Sequence, residues 1–113
     1  MTDRELLELA AKAAGITLEW DGNPDGWMPM YYKGKTYHQW NPLENDGDAL
    51  RLAVRLLLDV MFGFDGDGNV VGVNANWDGA PAEVIQEPLG QDVAKATRRA
   101  IVRAAAEIWR AMK

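Results

Sequence analysis

Asp59 to Trp77 reads DVMFGFDGDGNVVGVNANW, and this stretch decides the class of fold. Apolar residues recur at every second position, first at Val60, Phe62 and Phe64, then at Val71, Val73, Ala75 and Trp77. That period of two predicts one buried face on each of two strands. Between them lies Asp65-Gly66-Asp67-Gly68-Asn69, whose residues supply the positive φ of a hairpin tip. A second turn at Asn76-Trp77-Asp78-Gly79 leads to a third strand around Ala82 to Glu87, ended by Pro88 and Gly90. Three consecutive strands joined by short turns can only pair antiparallel.

On both sides of this unit the period changes to that of a helix. The last helix begins near Gln91-Asp92 and runs to the C-terminus, with Ala94, Thr97, Ile101, Ala104, Ala105, Ile108 and Met112 as its expected buried stripe. Upstream, Asp46 is the expected N-cap of a second helix, with Ala49, Leu50, Ala53, Val54 and Leu57 facing the core. Arg51 and Arg55 are four apart, hence on one face, and Asp48 precedes Arg51 by three. Further back, TLEW, WMPMYY and TYHQW read as three short strands. Asn23-Pro24-Asp25-Gly26 reads as a loop, Lys33-Gly34 as a tight hairpin, and Pro29 consigns its strand to an edge or a bulge. Thr2-Asp3-Arg4-Glu5 has capping-box spacing, and the first helix runs from it to Ala14, where Gly15 suits a left-handed stop. Leu6, Leu9, Ala10 and Ala13 share its face, with Leu7, Ala11 and Ala14 beside them. The expected class is therefore an α/β domain of the α+β kind, a largely antiparallel sheet with helices packed on it.

At 113 residues the chain is one domain, 1–113, able to bury roughly 65% of its unfolded surface. The absence of an 18-residue apolar run and the charged start at Asp3-Arg4-Glu5 predict neither a membrane span nor a signal peptide, hence a cytoplasmic protein. With no cysteine, disulfides and thiolate chemistry are excluded. The net charge of −5 is unevenly spread: residues 1–94 hold 6 basic and 16 acidic side chains, residues 95–113 hold 6 basic and 1 acidic. An acidic body disfavours generic duplex binding, which rests on neutralising phosphates.

Few residues offer reaction chemistry. Asp65, Asp67 and Asn69 alternate like the first ligands of a calcium loop, but Val70 stands where that loop needs glycine and Asn76 where it needs glutamate. His38 is the sole histidine and the chain has no serine, so neither a multi-histidine metal site nor a serine nucleophile exists. No cofactor is expected. Glu44, Asp46 and Asp48 lie together in polar sequence, where capping explains them as well as acid–base work does. The five tryptophans are numerous for so small a chain, and Trp20, Trp27, Trp40 and Trp77 fall at strand ends or turns where an indole can stack on a flat ligand. Arg98, Arg99 and Arg103, with no acid adjacent in sequence, form a candidate site for phosphate or carboxylate; pairing of Arg103 with Glu107 is the structural alternative.

Three segments carry a resemblance: Leu6 to Ile16 (LLELAAKAAGI), Trp40 to Leu56 (WNPLENDGDALRLAVRL) and Ala96 to Ile108 (ATRRAIVRAAAEI). Together they resemble the small tailed-phage proteins known as phage ABA sandwich domain proteins. The resemblance implies an α-β-α sandwich, with helices on both faces of the sheet, and a phage accessory protein acting in the host cytoplasm. Combined with the residue chemistry it gives the expectation of a counter-defence protein that works by binding. As a sponge it would sequester a host immune signalling nucleotide through Trp40, Asn41, Asp46, Asp48, Arg98, Arg99 and Arg103. As an acidic inhibitor it would instead occupy a CRISPR effector or another host defence protein. A small nucleotide hydrolase using Asp46 or Asp48 with a divalent cation, a virion assembly protein, and a homo-oligomer stay open as alternatives.

Overall fold

Thr2 starts the first element as its spacing requires. Its hydroxyl accepts the Glu5 amide at 3.1 Å while the Glu5 carboxylate accepts the Thr2 amide at 3.2 Å, closing the capping box. The bonds from the Thr2 amide and hydroxyl favour the ionised form and hold the Glu5 carboxyl below its ordinary value of 4.5. From this cap α1 runs over Asp3–Ala14 and stops at Gly15, whose φ of 75° is the left-handed conformation that glycine adopts without steric cost. The structure, a computed structural model, describes residues 1–21, 28–33 and 35–112. After α1 come β1 (Glu19–Asp21), β2 (Met28–Lys33), β3 (Thr36–Gln39), α2 (Asp46–Arg55), β4 (Leu58–Phe62), β5 (Val70–Ala75), β6 (Ile85–Pro88) and α3 (Val93–Ala111). The expected loop at 23–26 and Trp27, like the glycine of the Lys33-Gly34 turn, lie outside the described residues.

All strand pairs are antiparallel, and they form two three-stranded sheets, β1-β2-β3 and β4-β5-β6. The chain is thus α+β, as its periodicities predict, and consistent with the sandwich that the resemblance implies, but its strands are divided between two sheets where one was expected. In the first sheet β2 is central, so Pro29 lies on a central strand and not, as its residue type suggests, on an edge. It is tolerated because it sits at the end of the β2-β3 ladder. Its carbonyl accepts the Trp40 amide at 2.9 Å, and only the reciprocal bond is forgone. In the second sheet the hairpin forms as read: Val60 pairs with Val73 and Phe62 with Val71, and Asp65 organises the tip by accepting the amides of Asp67 at 3.3 Å and Asn69 at 3.2 Å. Val71, Val73 and Ala75 are buried, whereas Phe62, Phe64 and Trp77 are exposed. Phe64 has left the strand and lies on Gly72, where a Cβ would come within 2.7 Å of its ring. The third strand starts at Ile85, three residues later than expected.

Two helical registers differ from the sequence reading. The N-cap of α2 is Asn45 rather than Asp46, with its side chain accepting the Asp48 amide at 2.8 Å. Its buried residues are Asp48, Ala49, Leu52 and Ala53, so Leu50, Val54 and Leu57, expected in the core, are exposed. The burial of Asp48, compensated by hydrogen bonds, turns the helix away from the purely apolar stripe. In α3, capped by Asp92, the buried set is Ala96, Ala100, Ile101, Val102, Ala104, Ala105, Ala106 and Ile108, which leaves Ala94 and Met112 exposed and Thr97 half-buried. These residues span nearly the whole circumference, because α3 touches α1, α2 and the sheet β4-β5-β6. It is the central element, and its small side chains let α1, lined by Ala10, Ala11 and Ala14, approach closely. The first sheet joins the core through Trp40, Trp20, Tyr31, Leu18 and Leu43. Among the described residues no helix is long and apolar enough to cross a membrane.

Candidate functional site

The residues nominated from the sequence around Trp40 to Asp48 are brought together, but as a structural clasp. Trp40 is 4% exposed. Asn41 places its amide on Asp48 Oδ2 at 2.9 Å and accepts the Leu43 amide on Oδ1 at 3.1 Å, and its carbonyl takes the amides of Glu44 and Asn45. Asp48 Oδ1 receives Arg51 at 2.7 Å. Asp46 is met by Arg98 Nη1 at 2.7 Å, and Arg98 Nε donates to the Leu43 carbonyl at 2.9 Å. These bonds tie the end of β3, the start of α2 and the flank of α3 together.

The arginine set does not form one open anion site. Arg98 belongs to the clasp, while Arg99 donates to Asp3 at 3.0 Å and lies 4.0 Å from Glu87. Arg103 bonds the Glu87 carboxylate and the Gln86 carbonyl, at 3.0 Å for the latter. The fold therefore supplies the acids that the local sequence lacks. Glu107, the partner expected for Arg103, pairs with Arg110 at 3.1 Å instead. Arg99 and Asn41 do border a hollow of about 290 Å³ with Arg4, Trp20 and Lys95, in which the Arg4 guanidinium stacks 4.3 Å over the Trp20 ring. Replacing Arg99 and Arg103 together by Gln is expected to lower stability by about 1–3 kcal/mol, because Glu87 loses both cations. The value falls toward the low end since the two arginine side chains are 38% and 37% exposed. Chemical denaturation checks this; a midpoint identical to that of the unmodified chain refutes the structural assignment.

A larger concavity lies elsewhere. A groove of about 860 Å³ runs between the C-terminal end of α1, the chain from Gly15 through Glu19, the Tyr31 position of β2 and the solvent face of α2. Trp40 and Leu52 lie at its base, and Leu50, Arg51, Val54 and Arg55 form the α2 wall. Of the sequence-nominated residues only Trp40 belongs to it. Arg55 Nε donates to the Ala14 carbonyl, one of the acceptors left over at the end of α1, and its guanidinium fills the space beside Gly15, where a Cβ would lie 3.3 Å from Nη2. Arg51 is held at one edge by Asp48 and its side chain is 72% exposed. Tyr31 stacks on His38 across the sheet with ring centroids 5.5 Å apart, which fixes the phenol ring at the groove. The four-residue spacing of Arg51 and Arg55 was the visible signal. It pointed nowhere because Leu50 and Val54, on the same face, looked like core.

The groove thus offers two guanidinium groups, a fixed aromatic ring, the Thr17 hydroxyl, the Glu19 carboxylate, which accepts the Tyr37 hydroxyl at 3.0 Å, and apolar walls. A guanidinium carries five N–H donors, so single bonds to Asp48 and to Ala14 leave capacity for an anion at both arginines. Among the described residues no three His, Cys, Asp or Glu side chains come together as a metal site requires. Comparison with protein-family models, with curated proteins and with solved structures returns no match to this chain.

Proposed function

We propose that the protein works by binding, sequestering a nucleotide-sized anionic ligand in the groove between α1, β2 and α2. The groove itself carries the reading. Its volume of about 860 Å³ lies within the range of small-molecule sites, roughly 300–1,000 Å³. Arg51 and Arg55 suit phosphate, since guanidinium N–H groups match phosphate oxygens in pairs. Tyr31 offers a ring face for a base, and Leu50 and Val54 cover the apolar remainder. Trp40 contributes from beneath, while Asn41, Asp46, Asp48 and Arg98 hold the wall in place. In the setting that the phage resemblance implies, the ligand is a host immune signalling nucleotide, and the protein is a counter-defence sponge in the host cytoplasm.

The test is calorimetric titration with a panel of mononucleotides and cyclic dinucleotides, followed by mass analysis of ligand released on denaturation. Intact ligand supports sequestration, altered ligand makes the protein an enzyme, and absence of any binding overturns the reading. Arg51→Gln with Arg55→Gln should weaken binding by roughly a hundredfold or more, since each hydrogen bond to a charged group contributes about 1.5–3 kcal/mol. Unchanged affinity in that folded double variant removes the two arginines from the site.

A further inference from the structure

The exposed face of α2 carries a second feature, which begins at the groove and extends past it. Leu50 is 65% exposed and Val54 63%, four apart on one helical face, and Leu57, 69% exposed, follows them in the turn after α2. The Leu57 amide bonds the Val54 carbonyl at 3.2 Å, which holds the turn against the end of α2. Leu57 has a φ of 52°, and it is the only described non-glycine residue with a positive φ. A leucine in the left-handed region is strained, and glycine or asparagine would relieve it at an exposed position. The turn is held from behind by Trp77, whose Nε1 donates to the Leu56 carbonyl at 2.8 Å. Neither burial nor local geometry accounts for leucine at position 57. Such outliers gather at functional sites.

Arg51 and Arg55 border this row on one side. A second copy of the chain docked antiparallel is a poor occupant. Two α2 helices pairing antiparallel about a twofold axis bring the same flank of each together, so Arg51 and Arg55 would meet their own counterparts and repel. We propose that the row Leu50, Val54 and Leu57 docks a polypeptide segment from another protein, an amphipathic helix whose apolar face is bordered by carboxylates facing Arg51 and Arg55. Helix-on-groove recognition of this kind uses anchors at the spacing seen here. Leu50, Arg51, Val54 and Arg55 are shared with the groove assigned to the nucleotide and Leu57 is not, so Leu57→Gly tests this reading apart from that one.

The probe is a synthetic helical peptide with Leu at positions i, i+4 and i+7 flanked by Glu, compared by fluorescence anisotropy with the same peptide carrying Lys in place of Glu. The Glu peptide should bind at least tenfold more tightly than the Lys peptide, and Arg51→Glu with Arg55→Glu should reverse that order. Leu57→Gly should reduce Glu-peptide binding about tenfold while the melting temperature stays the same or rises, and it should leave nucleotide titration unchanged. Absence of Glu-peptide binding, equal affinity for both peptides, unchanged peptide affinity in Leu57→Gly, or a dimer in light scattering that Leu57→Gly dissociates would each overturn the proposal.

Discussion

Ile101→Asp is expected to leave the chain unfolded at 25 °C. Ile101 is 5% exposed on α3, the helix that α1, α2 and the second sheet all pack against. An aspartate there loses the buried aliphatic contacts, at about 2–5 kcal/mol for a large-to-small change, and adds a carboxylate whose burial without a partner costs several kcal/mol more. A domain of this size has roughly 5–15 kcal/mol in total, so the sum removes most or all of it. Circular dichroism on heating reads the outcome directly. Ala94→Asp, on the exposed first turn of the same helix, serves as the control and should melt close to the parent. An Ile101→Asp variant that melts like the parent would mean that the register of α3 is wrong.

Asp48→Ala should produce the next largest loss, about 1–3 kcal/mol, combining the stranded Asn41 amide with the lost helix-end charge. The carboxylate receives the buried Asn41 amide at 2.9 Å and the Arg51 guanidinium at 2.7 Å, and alanine leaves both without this acceptor. It also removes an acidic group from the first turn of α2, where it complements the positive end of the helix dipole. Asp48→Asn keeps an oxygen for one of the donors and should lose less. Urea denaturation distinguishes the two variants by their midpoints. If Asp48 is instead merely a solvated cap, the alanine variant will lie within about 0.5 kcal/mol of the parent, as surface substitutions do.

The proposed sequestration in the groove also predicts what these variants do to binding. Asp48 orients Arg51, so Asp48→Asn moves an anion-binding group without removing it, whereas Arg51→Gln removes it. Under that proposal the clasp around Asn41 positions the α2 wall, and its residues influence a ligand only through that wall.

What the sequence determined by itself is local. Thr2 and Glu5, Gly15, the Asp65 turn and the Asp92 cap each work through neighbours within about four residues, and all are found where spacing places them. The two-residue period from Val60 to Ala75 likewise fixed the hairpin, because alternation alone decides which side chains share a face. Tertiary structure decided which face of α2 is buried, since Asp48 goes inward only when Asn41 arrives from β3 to satisfy it. It decided that α3 is buried nearly all round, because three neighbours converge on it. It decided the fate of the arginines as well: Arg98 meets Asp46 across 52 residues of chain and Arg99 meets Asp3 across 96. Charges that look unpaired along the chain are paired in space, and leucines that look like core face solvent, because both outcomes depend on partners that only the folded chain brings within reach.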